Sequence, residues 1–171
     1  VYKRQRLFSF LVDKSACTLS VEIDGERQPV ALPQIDAFDP AQLRAPAALP
    51  VPMGEADAAV PLIRLAMARS GDKGNHSNIG VMARKPEYLA WIAAALTPEA
   101  VANWMAHTLD AEHGRVSRWY LPGSHSLNFL LENALGGGGV ASLRIDPQGK
   151  AFAQQLLEFP VPVPKALADS L

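Results

Sequence analysis

Hydrophobic and polar positions alternate along the chain in a way that predicts short strands first and helices later. In residues 17–23, apolar side chains recur at every second position, which is the period of a β-strand. The dipeptide Asp24-Gly25 follows as a hairpin turn signal, and a second strand is predicted from about 28 to 32. Two strands cannot enclose a core by themselves. Residues 1–35 are therefore interpreted as the truncated tail of an upstream domain.

Proline dominates the segment from 33 to 61, where it occurs six times with alanines between and no hydrophobic period. This composition is typical of an extended, semi-rigid linker, which is predicted over 36–59. The next domain is predicted over 60–159. Residues 160–171 are interpreted as a C-terminal tail in which three prolines end regular structure.

Within residues 60–159 the pattern predicts an α+β sandwich, in which helices cover a four-stranded sheet. Helices are predicted to begin at Pro86 and at Thr97, the latter a capping residue followed by a proline. Another helix is predicted from Ser126, with leucines on its inner face and Gly136 at its end. The predicted strands are 62–68, 79–83, 116–121 and 140–145, and a closing helix is predicted over 150–159.

The ten residues from Arg69 to Asn78 contain no large apolar side chain and are predicted to form a loop between the first two strands. A simple hairpin needs only two to five loop residues, so the extra length calls for an explanation. Glycines let backbone amides converge on an anion, Lys73 adds positive charge, and Asp72 could orient that lysine or act as a base. Asp72 and Lys73 are the catalytic candidates. The candidate ligand-binding residues are Ser70, Gly71, Gly74, Asn75, Ser77, Asn78 and Asn128.

Interpretations in which these segments have only a structural role stay open. A polar loop can simply bridge two strands, with its Asp and Ser side chains satisfying their own backbone. Ser124 or Ser126 could cap the predicted third helix, whose first turn, with His125 and Asn128, would also suit an anion. The glycine run 136–139 indicates either a close backbone approach or a flexible turn.

Composition narrows the function classes. The 171 residues carry 19% charged side chains and a net charge of −1, with no run of Lys or Arg, which argues against nucleic acid or an anionic membrane as partner. Cys17 is the single cysteine, which excludes an internal disulfide and a cysteine zinc site and favours a cytoplasmic setting. The histidines lack metal-ligand spacing, so no metal site is predicted. The low charge fits a surface covered by another domain, and a homo-oligomer stays open.

Several polar and glycine motifs resemble one family in order along residues 60–158. They run from Ala68-Arg69-Ser70-Gly71-Asp72-Lys73-Gly74-Asn75 through Asn78-Ile79-Gly80-Val81, Leu127-Asn128-Phe129 and Leu135-Gly136-Gly137-Gly138 to Asp146-Pro147-Gln148-Gly149-Lys150. The chain resembles the C-terminal domain of the acyclic terpene utilisation (AtuA-like) family. The resemblance implies a ferredoxin-like fold, a larger N-terminal domain before it, and a role in breaking down branched acyclic terpenoids through coenzyme A thioesters.

Two functions follow as alternatives. In the first, the domain contributes Asp72 and Lys73 to an enzyme site shared with the N-terminal domain, and the ligand is an anion or an acyl-CoA. In the second, it is a ligand-binding or assembly module without chemistry. Neither the residues nor the resemblance names a cofactor.

Overall fold

The computed structural model describes residues 10–31 and 39–171, and the chain divides into a first unit, Val1–Ala45, and a second, Pro46–Leu171. The first nine residues of the predicted N-terminal tail, its end at 32–35 and the start of the predicted linker at 36–38 lie outside the described residues.

The first unit contains the predicted hairpin. Strands β1 (Leu19–Ile23) and β2 (Glu26–Val30) pair antiparallel, with β2 beginning two residues earlier than predicted. The turn residues Asp24 and Gly25 both have positive φ, 52° and 84°, as a two-residue type I′ turn requires. All strand residues are exposed within this unit, so the hairpin encloses no core there.

The second unit is built on a four-stranded antiparallel sheet with helices packed on one face, which confirms the predicted α+β class. The strand order in that sheet is β4-β5-β7-β6, and β3 and β8 form a separate antiparallel pair. Its elements are β3 (Ala58–Pro61), β4 (Ala66–Lys73), β5 (His76–Ala83), α1 (Leu89–Ala95), α2 (Pro98–Trp104), β6 (Arg115–Leu121), β7 (Ser126–Glu132), α3 (Phe152–Leu157), β8 (Pro160–Val163) and α4 (Lys165–Ser170).

The connectivity of the sheet is a rearranged ferredoxin-like order. Along the chain its elements run β4-β5-helices-β6-β7-α3. If the chain were joined after α3 back to β4 and cut between β4 and β5, the order would become β-α-β-β-α-β, which is the ferredoxin-like pattern. The spatial arrangement of the four strands is therefore ferredoxin-like, although the chain enters the sheet at a different strand.

The core lies between the sheet and the helices. Side chains alternate along β5 and β7, so every second residue points to the helices, and all of these except Ala83 at the end of β5 are buried. Thr97 caps α2 as predicted, since its hydroxyl accepts the backbone N–H of Ala100 at 3.1 Å. The sheet contributes Ile79, Val81, Leu127, Phe129 and Leu131 to the core, and the helices contribute Leu89, Ile92, Val101 and Leu156.

The prediction of a ten-residue loop over 69–78 was wrong, because these residues are strand. β4 continues to Lys73, β5 starts at His76, and only Gly74-Asn75 forms the turn. Gly74 has a φ of 66°, which glycine adopts without strain. The alternation of apolar and polar residues that indicates a strand is absent here, because small or polar side chains occupy both faces of the hairpin.

The prediction of a helix from Ser126 was also wrong, because the segment is β7. Leu127 and Leu131 are four residues apart, a spacing that suits a helix as well as a strand. Phe129 between them is buried too, and the residues in between are half-exposed, which is strand alternation. Ser124 and Ser126 cap no helix: the Ser126 hydroxyl donates to the carbonyl of Ser124 at 2.9 Å in the turn before β7.

The predicted strand over 140–145 is irregular chain, and its role in the sheet is taken by β7. Leu143 and Ile145 are fully exposed. Arg144, between them, is also exposed as a residue, but its guanidinium donates to the carbonyls of Thr108, at 2.6 Å, and Ala134. A guanidinium can satisfy several carbonyls at once, so it holds this segment in place without strand pairing.

The C-terminal prolines do not end regular structure as predicted. Pro160 and Pro162 lie at exposed positions of β8 and alternate with the fully buried Val161 and Val163. Among the described residues β8 pairs with β3 alone, so prolines without an N–H are tolerated on its other side. The helix α4 follows at Lys165–Ser170.

Candidate functional site

The sheet face opposite the helices, here called the open face, brings together residues from all four strands. Strand pairing aligns Arg69, Gly80, Asn128 and Trp119 in one row across the sheet, and Met67, Met82, Ser126 and Leu121 in the next. A third row contains Gly71, Asn78, Leu130 and Ser117. Four of the predicted site residues therefore share this face: Gly71, Lys73, Asn78 and Asn128.

Three cations surround the glycines of the open face. Arg69 and Lys73 flank Gly71 on the same face of β4, and Lys150 reaches it from the turn before α3. A Cβ added at Gly71 would lie 3.2 Å from Nζ of Lys150, so that ammonium stands directly beside the glycine. Because Gly71 has no side chain, the long cationic side chains can lean over it. This group of Arg69, Lys73 and Lys150 is called the cationic cluster below.

A chain of hydrogen bonds crosses three strands within this face. Nζ of Lys73 donates to Oδ1 of Asn78 at 3.1 Å and to the backbone carbonyl of Asp72 at 3.0 Å. Nδ2 of Asn78 donates in turn to Oδ1 of Asn128 at 3.3 Å. An ammonium has three donors and an amide nitrogen has two, so Lys73 and Asn128 keep donors for a further group.

Asp72 lies at the edge of the cationic cluster and holds one of its members. Its Oδ1 is 3.8 Å from Nζ of Lys150, and both side chains remain partly exposed. The ion pair is therefore worth little for stability, and it places the ammonium of Lys150 between Asp72 and Gly71 without fixing it rigidly. A second carboxylate, that of Asp146, accepts the backbone N–H of Lys150 at 2.9 Å, so two carboxylates lie beside three cations and the net charge is positive.

Two concavities line the open face and share Arg69 and Gly80. One, of about 360 Å³, is bordered by the cationic cluster, Gly71 and Asn78. The other, of about 380 Å³, is bordered by apolar and small polar side chains. Both lie at the lower end of the range of about 300–1,000 Å³ that small ligands occupy. The residues of the second are Met67, Ala68, Arg69, Gly80, Val81, Met82, Leu121, Ser124, Ser126, Leu127 and Asn128.

Ser70 and Ser77 point away from the open face and support the fold. The Ser70 hydroxyl donates to the carbonyl of Lys150 at 3.1 Å and accepts the N–H of Ala153 at 2.9 Å, which ties the start of α3 to β4. The Ser77 hydroxyl donates to the carbonyl of Gly71 at 3.0 Å. Both serines are buried with their hydrogen bonds made. From the opposite side of the sheet they hold the backbone carbonyls of Lys150 and Gly71 in place.

Gly74 and Asn75 form the hairpin tip, which is bound by the glycine run. The side chain of Asn75 accepts the N–H of Gly137 at 2.7 Å and donates to Oδ1 of Asn133 at 3.0 Å. A Cβ added at Gly138 would lie 2.9 Å from the carbonyl oxygen of Gly74. Of the two interpretations of the run 136–139, the close backbone approach is therefore correct.

Sequence reasoning missed Gly80 and Lys150 as parts of the site and did not single out Arg69. Arg69 and Gly80 lie on strands next to predicted residues, and their strand period would place them on the open face once the hairpin is known. Lys150 follows β4 by almost eighty residues, and only its contact with Asp72 and Gly71 brings it in. No local signal in the sequence indicates that contact.

The described residues 10–31 and 39–171 hold no group of three or more His, Cys, Asp or Glu that could bind a metal ion. Over the same residues, no helix has the length and apolar character to cross a membrane.

The four-stranded antiparallel sheet, its helices on one face and its connectivity place the molecule among ferredoxin-like α+β domains. A family model described as the AtuA ferredoxin-like domain matches residues 60–162, and the chain belongs to that family. The predicted resemblance and fold are thereby confirmed. No curated protein matches the chain, and neither does any solved structure.

Proposed function

We propose that this domain binds an anionic intermediate in the breakdown of acyclic terpenes or related branched acids, at the cationic cluster of the open face. The observation that carries the proposal is the arrangement of Arg69, Lys73 and Lys150 around a glycine, with the carboxylate of Asp72 3.8 Å from Nζ of Lys150. Guanidinium and ammonium groups with spare donors recognise carboxylates and phosphates. The terpene pathway itself is suggested by the family name.

In this proposal Lys73 binds the ligand and Asp72 aligns Lys150. Lys73 is oriented by Asn78 and keeps one donor for the ligand. Chemistry requires more than these groups, and we propose that the N-terminal domain of AtuA-like proteins completes a shared site in which Asp72 and Lys73 act on the bound acyl-CoA. A cytoplasmic location accords with the exposed, unpaired thiol of Cys17.

A second candidate function is an assembly module that performs no chemistry. It is favoured by the partly exposed apolar side chains on the open face, of which Met67 and Met82 are 46% and 41% exposed. An assembly surface would bury these methionines against protein, whereas a ligand site needs the cationic cluster to stay accessible to small anions.

NMR titration of the 171-residue chain with coenzyme A tests the binding proposal. We expect dissociation constants on the order of millimolar, about −4 kcal/mol, for one cluster on an open surface. Shifts should concentrate on Gly71, Lys73 and Asn78 and should weaken as salt is raised. Shifts scattered over the molecule, or none, would contradict the anion site and favour the assembly module.

A substitution that changes no charge sharpens this test. Gly71→Ala places a methyl group 3.2 Å from the ammonium of Lys150, so the flexible lysine must shift by a few tenths of an ångström and the methyl group takes space in the cluster, while the strand is kept. Binding of coenzyme A should weaken several-fold. Gly123→Ala is the matched control, because a Cβ there meets no atom within 4 Å.

The pathway is tested separately in the host bacterium. Replacing the native gene by a Lys73→Met variant should abolish growth on an acyclic terpene such as citronellol and leave growth on succinate intact. Lys165→Met, another exposed lysine, should leave both unchanged. Normal growth of the Lys73 variant on citronellol would refute the role proposed for the cluster.

A further inference from the structure

A gap above Gly80 separates two side chains that can donate hydrogen bonds. Pairing places Gly80 of β5 directly between Arg69 of β4 and Asn128 of β7. Crowding does not require a glycine there, since a Cβ would meet nothing nearer than the Arg69 carbonyl oxygen at 3.9 Å, and Gly80 is not among the residues with positive φ. The glycine therefore leaves space on the open face that a methyl group could fill.

Both neighbours of this gap have unused donors. The guanidinium of Arg69 has no hydrogen bond or ion pair with the described part of the chain. Oδ1 of Asn128 accepts from Asn78, which leaves its amide N–H groups available. Strands are about 4.8 Å apart, so the two Cα atoms are separated by roughly 10 Å, and a group above Gly80 lies within reach of both side chains.

An apolar surface begins one row further along the same strands. Met67 and Met82 pair with each other, and Leu121 lies across the sheet in the same row. Alternate residues of a strand are about 7 Å apart, so the apolar row starts about 7 Å from Arg69. The same concavity of about 380 Å³ contains Arg69, Gly80 and these three apolar residues.

This spacing selects the ligand. An anion held above Gly80 must be attached almost directly to a hydrocarbon arm if the arm is to reach the methionines. A carboxylate is planar and matches the paired donors of a guanidinium, with Asn128 as a third donor. The larger charge of a phosphate is better matched by Lys73 and Lys150, at the other end of the open face.

We propose that Arg69, Gly80 and Asn128 form a carboxylate-binding niche, and that Met67, Met82 and Leu121 hold the short or branched hydrocarbon arm of the same small organic acid. The proposal rests on the proposed function, in which the open face binds anions, and adds the class of acid, the position of its head group and the direction of its arm.

Calorimetric titration of the 171-residue chain with a carboxylate series tests the niche. The probes are acetate, butanoate, 3-methylbutanoate and octanoate, with 3-methylbutanamide as a neutral isostere. Affinity should rise by about two- to fourfold for each carbon that enters this apolar concavity. The upper figure is that for complete burial of a methylene. The amide should bind at least about tenfold more weakly than its acid, the order expected for losing a charge-assisted hydrogen bond.

Gly80→Ala tests the head-group position without disturbing the fold. Its methyl group fits the strand but fills the place of the carboxylate. We expect about a tenfold or greater loss of 3-methylbutanoate affinity, with Gly123→Ala unchanged. Met82→Ser should remove the dependence of affinity on the length of the hydrocarbon arm. Met53→Ser, which changes an exposed methionine outside the concavity, should leave that dependence unchanged.

The outcomes separate the two proposals. Equal affinity for acetate and 3-methylbutanoate, or wild-type affinity in Gly80→Ala, would overturn the niche. If coenzyme A still binds in that case, the anion-binding function stands alone. If neither coenzyme A nor any carboxylate binds, the proposed function falls together with the niche.

Discussion

Gly138→Ala should destabilise the protein more than a conformational penalty alone explains. Gly138 has a φ of 88°, where a side chain is strained by about 1–3 kcal/mol. Its added Cβ would also lie 2.9 Å from the carbonyl oxygen of Gly74 and 3.1 Å from its carbonyl carbon, so backbone must move. Forcing an extra carbon into a packed site costs about 1–3 kcal/mol more. The sum is about 2–6 kcal/mol.

Two neighbouring substitutions divide this cost into its parts. Gly137 has a φ of 109°, but a Cβ there would make ordinary van der Waals contacts with Ala141, 3.4 Å from its Cβ and 3.9 Å from its carbonyl carbon. Gly137→Ala should therefore show the conformational cost of about 1–3 kcal/mol alone. Gly123→Ala, with neither feature, should change the free energy of unfolding by less than about 0.5 kcal/mol.

Urea unfolding followed by far-UV circular dichroism measures these differences from the midpoints, provided that the slope m is unchanged. If Gly138→Ala costs no more than Gly137→Ala, the glycine run does not hold the hairpin tip, and the account of Gly74 and Asn75 as structural residues is wrong.

Three further stability predictions use the same assay. Leu131→Ala should cost about 2–5 kcal/mol, because it empties a fully buried core position. Arg118→Met should cost about 1–3 kcal/mol, since the half-buried guanidinium, whose pKa is lowered by burial, donates to two carbonyls at the end of α1. Thr97→Val should cost about 1 kcal/mol through the lost cap on Ala100. The backbone N–H of Glu99 and then the Thr97 hydroxyl lower the pKa of Glu99 below 4.5. This carboxylate therefore stabilises the fold above pH 4.5, and the stabilisation is lost as the pH falls through the lowered pKa. Because Thr97→Val removes one of the two hydrogen bonds, the pKa of Glu99 should be lowered less in that variant.

The sequence predicts those elements in which local chemistry and burial agree. Thr97-Pro98 begins α2 as predicted because a capping hydroxyl and a proline suit a helix start wherever the helix packs. Asp24-Gly25 makes its hairpin turn because the turn needs two residues with positive φ. In both cases a few adjacent residues determine the structure.

The prediction of a loop over 69–78 failed because long-range hydrogen bonds stabilise polar residues at strand positions where an apolar side chain would have indicated a strand. Ser70 occupies a core-facing strand position that normally carries an apolar side chain, and it is stabilised there by hydrogen bonds to Lys150 and Ala153, about eighty residues away. Reading the polar run as a loop still identified Lys73, Asn78 and Gly71 as neighbours, since any path of the chain keeps them close. It could not supply Lys150, which only the folded structure brings there.

The central claim is that the cationic cluster of the open face binds anions, and the most direct test is calorimetric titration of coenzyme A into the chain and two lysine variants. Lys73→Met and Lys165→Met each remove one exposed ammonium and should leave the free energy of unfolding within about 0.5 kcal/mol. We predict that Lys73→Met weakens binding by about tenfold or more, the order expected for a lost charge-assisted hydrogen bond, while Lys165→Met binds like the wild type. Equal affinities for both variants, or no binding by the wild type at millimolar coenzyme A, would contradict the claim.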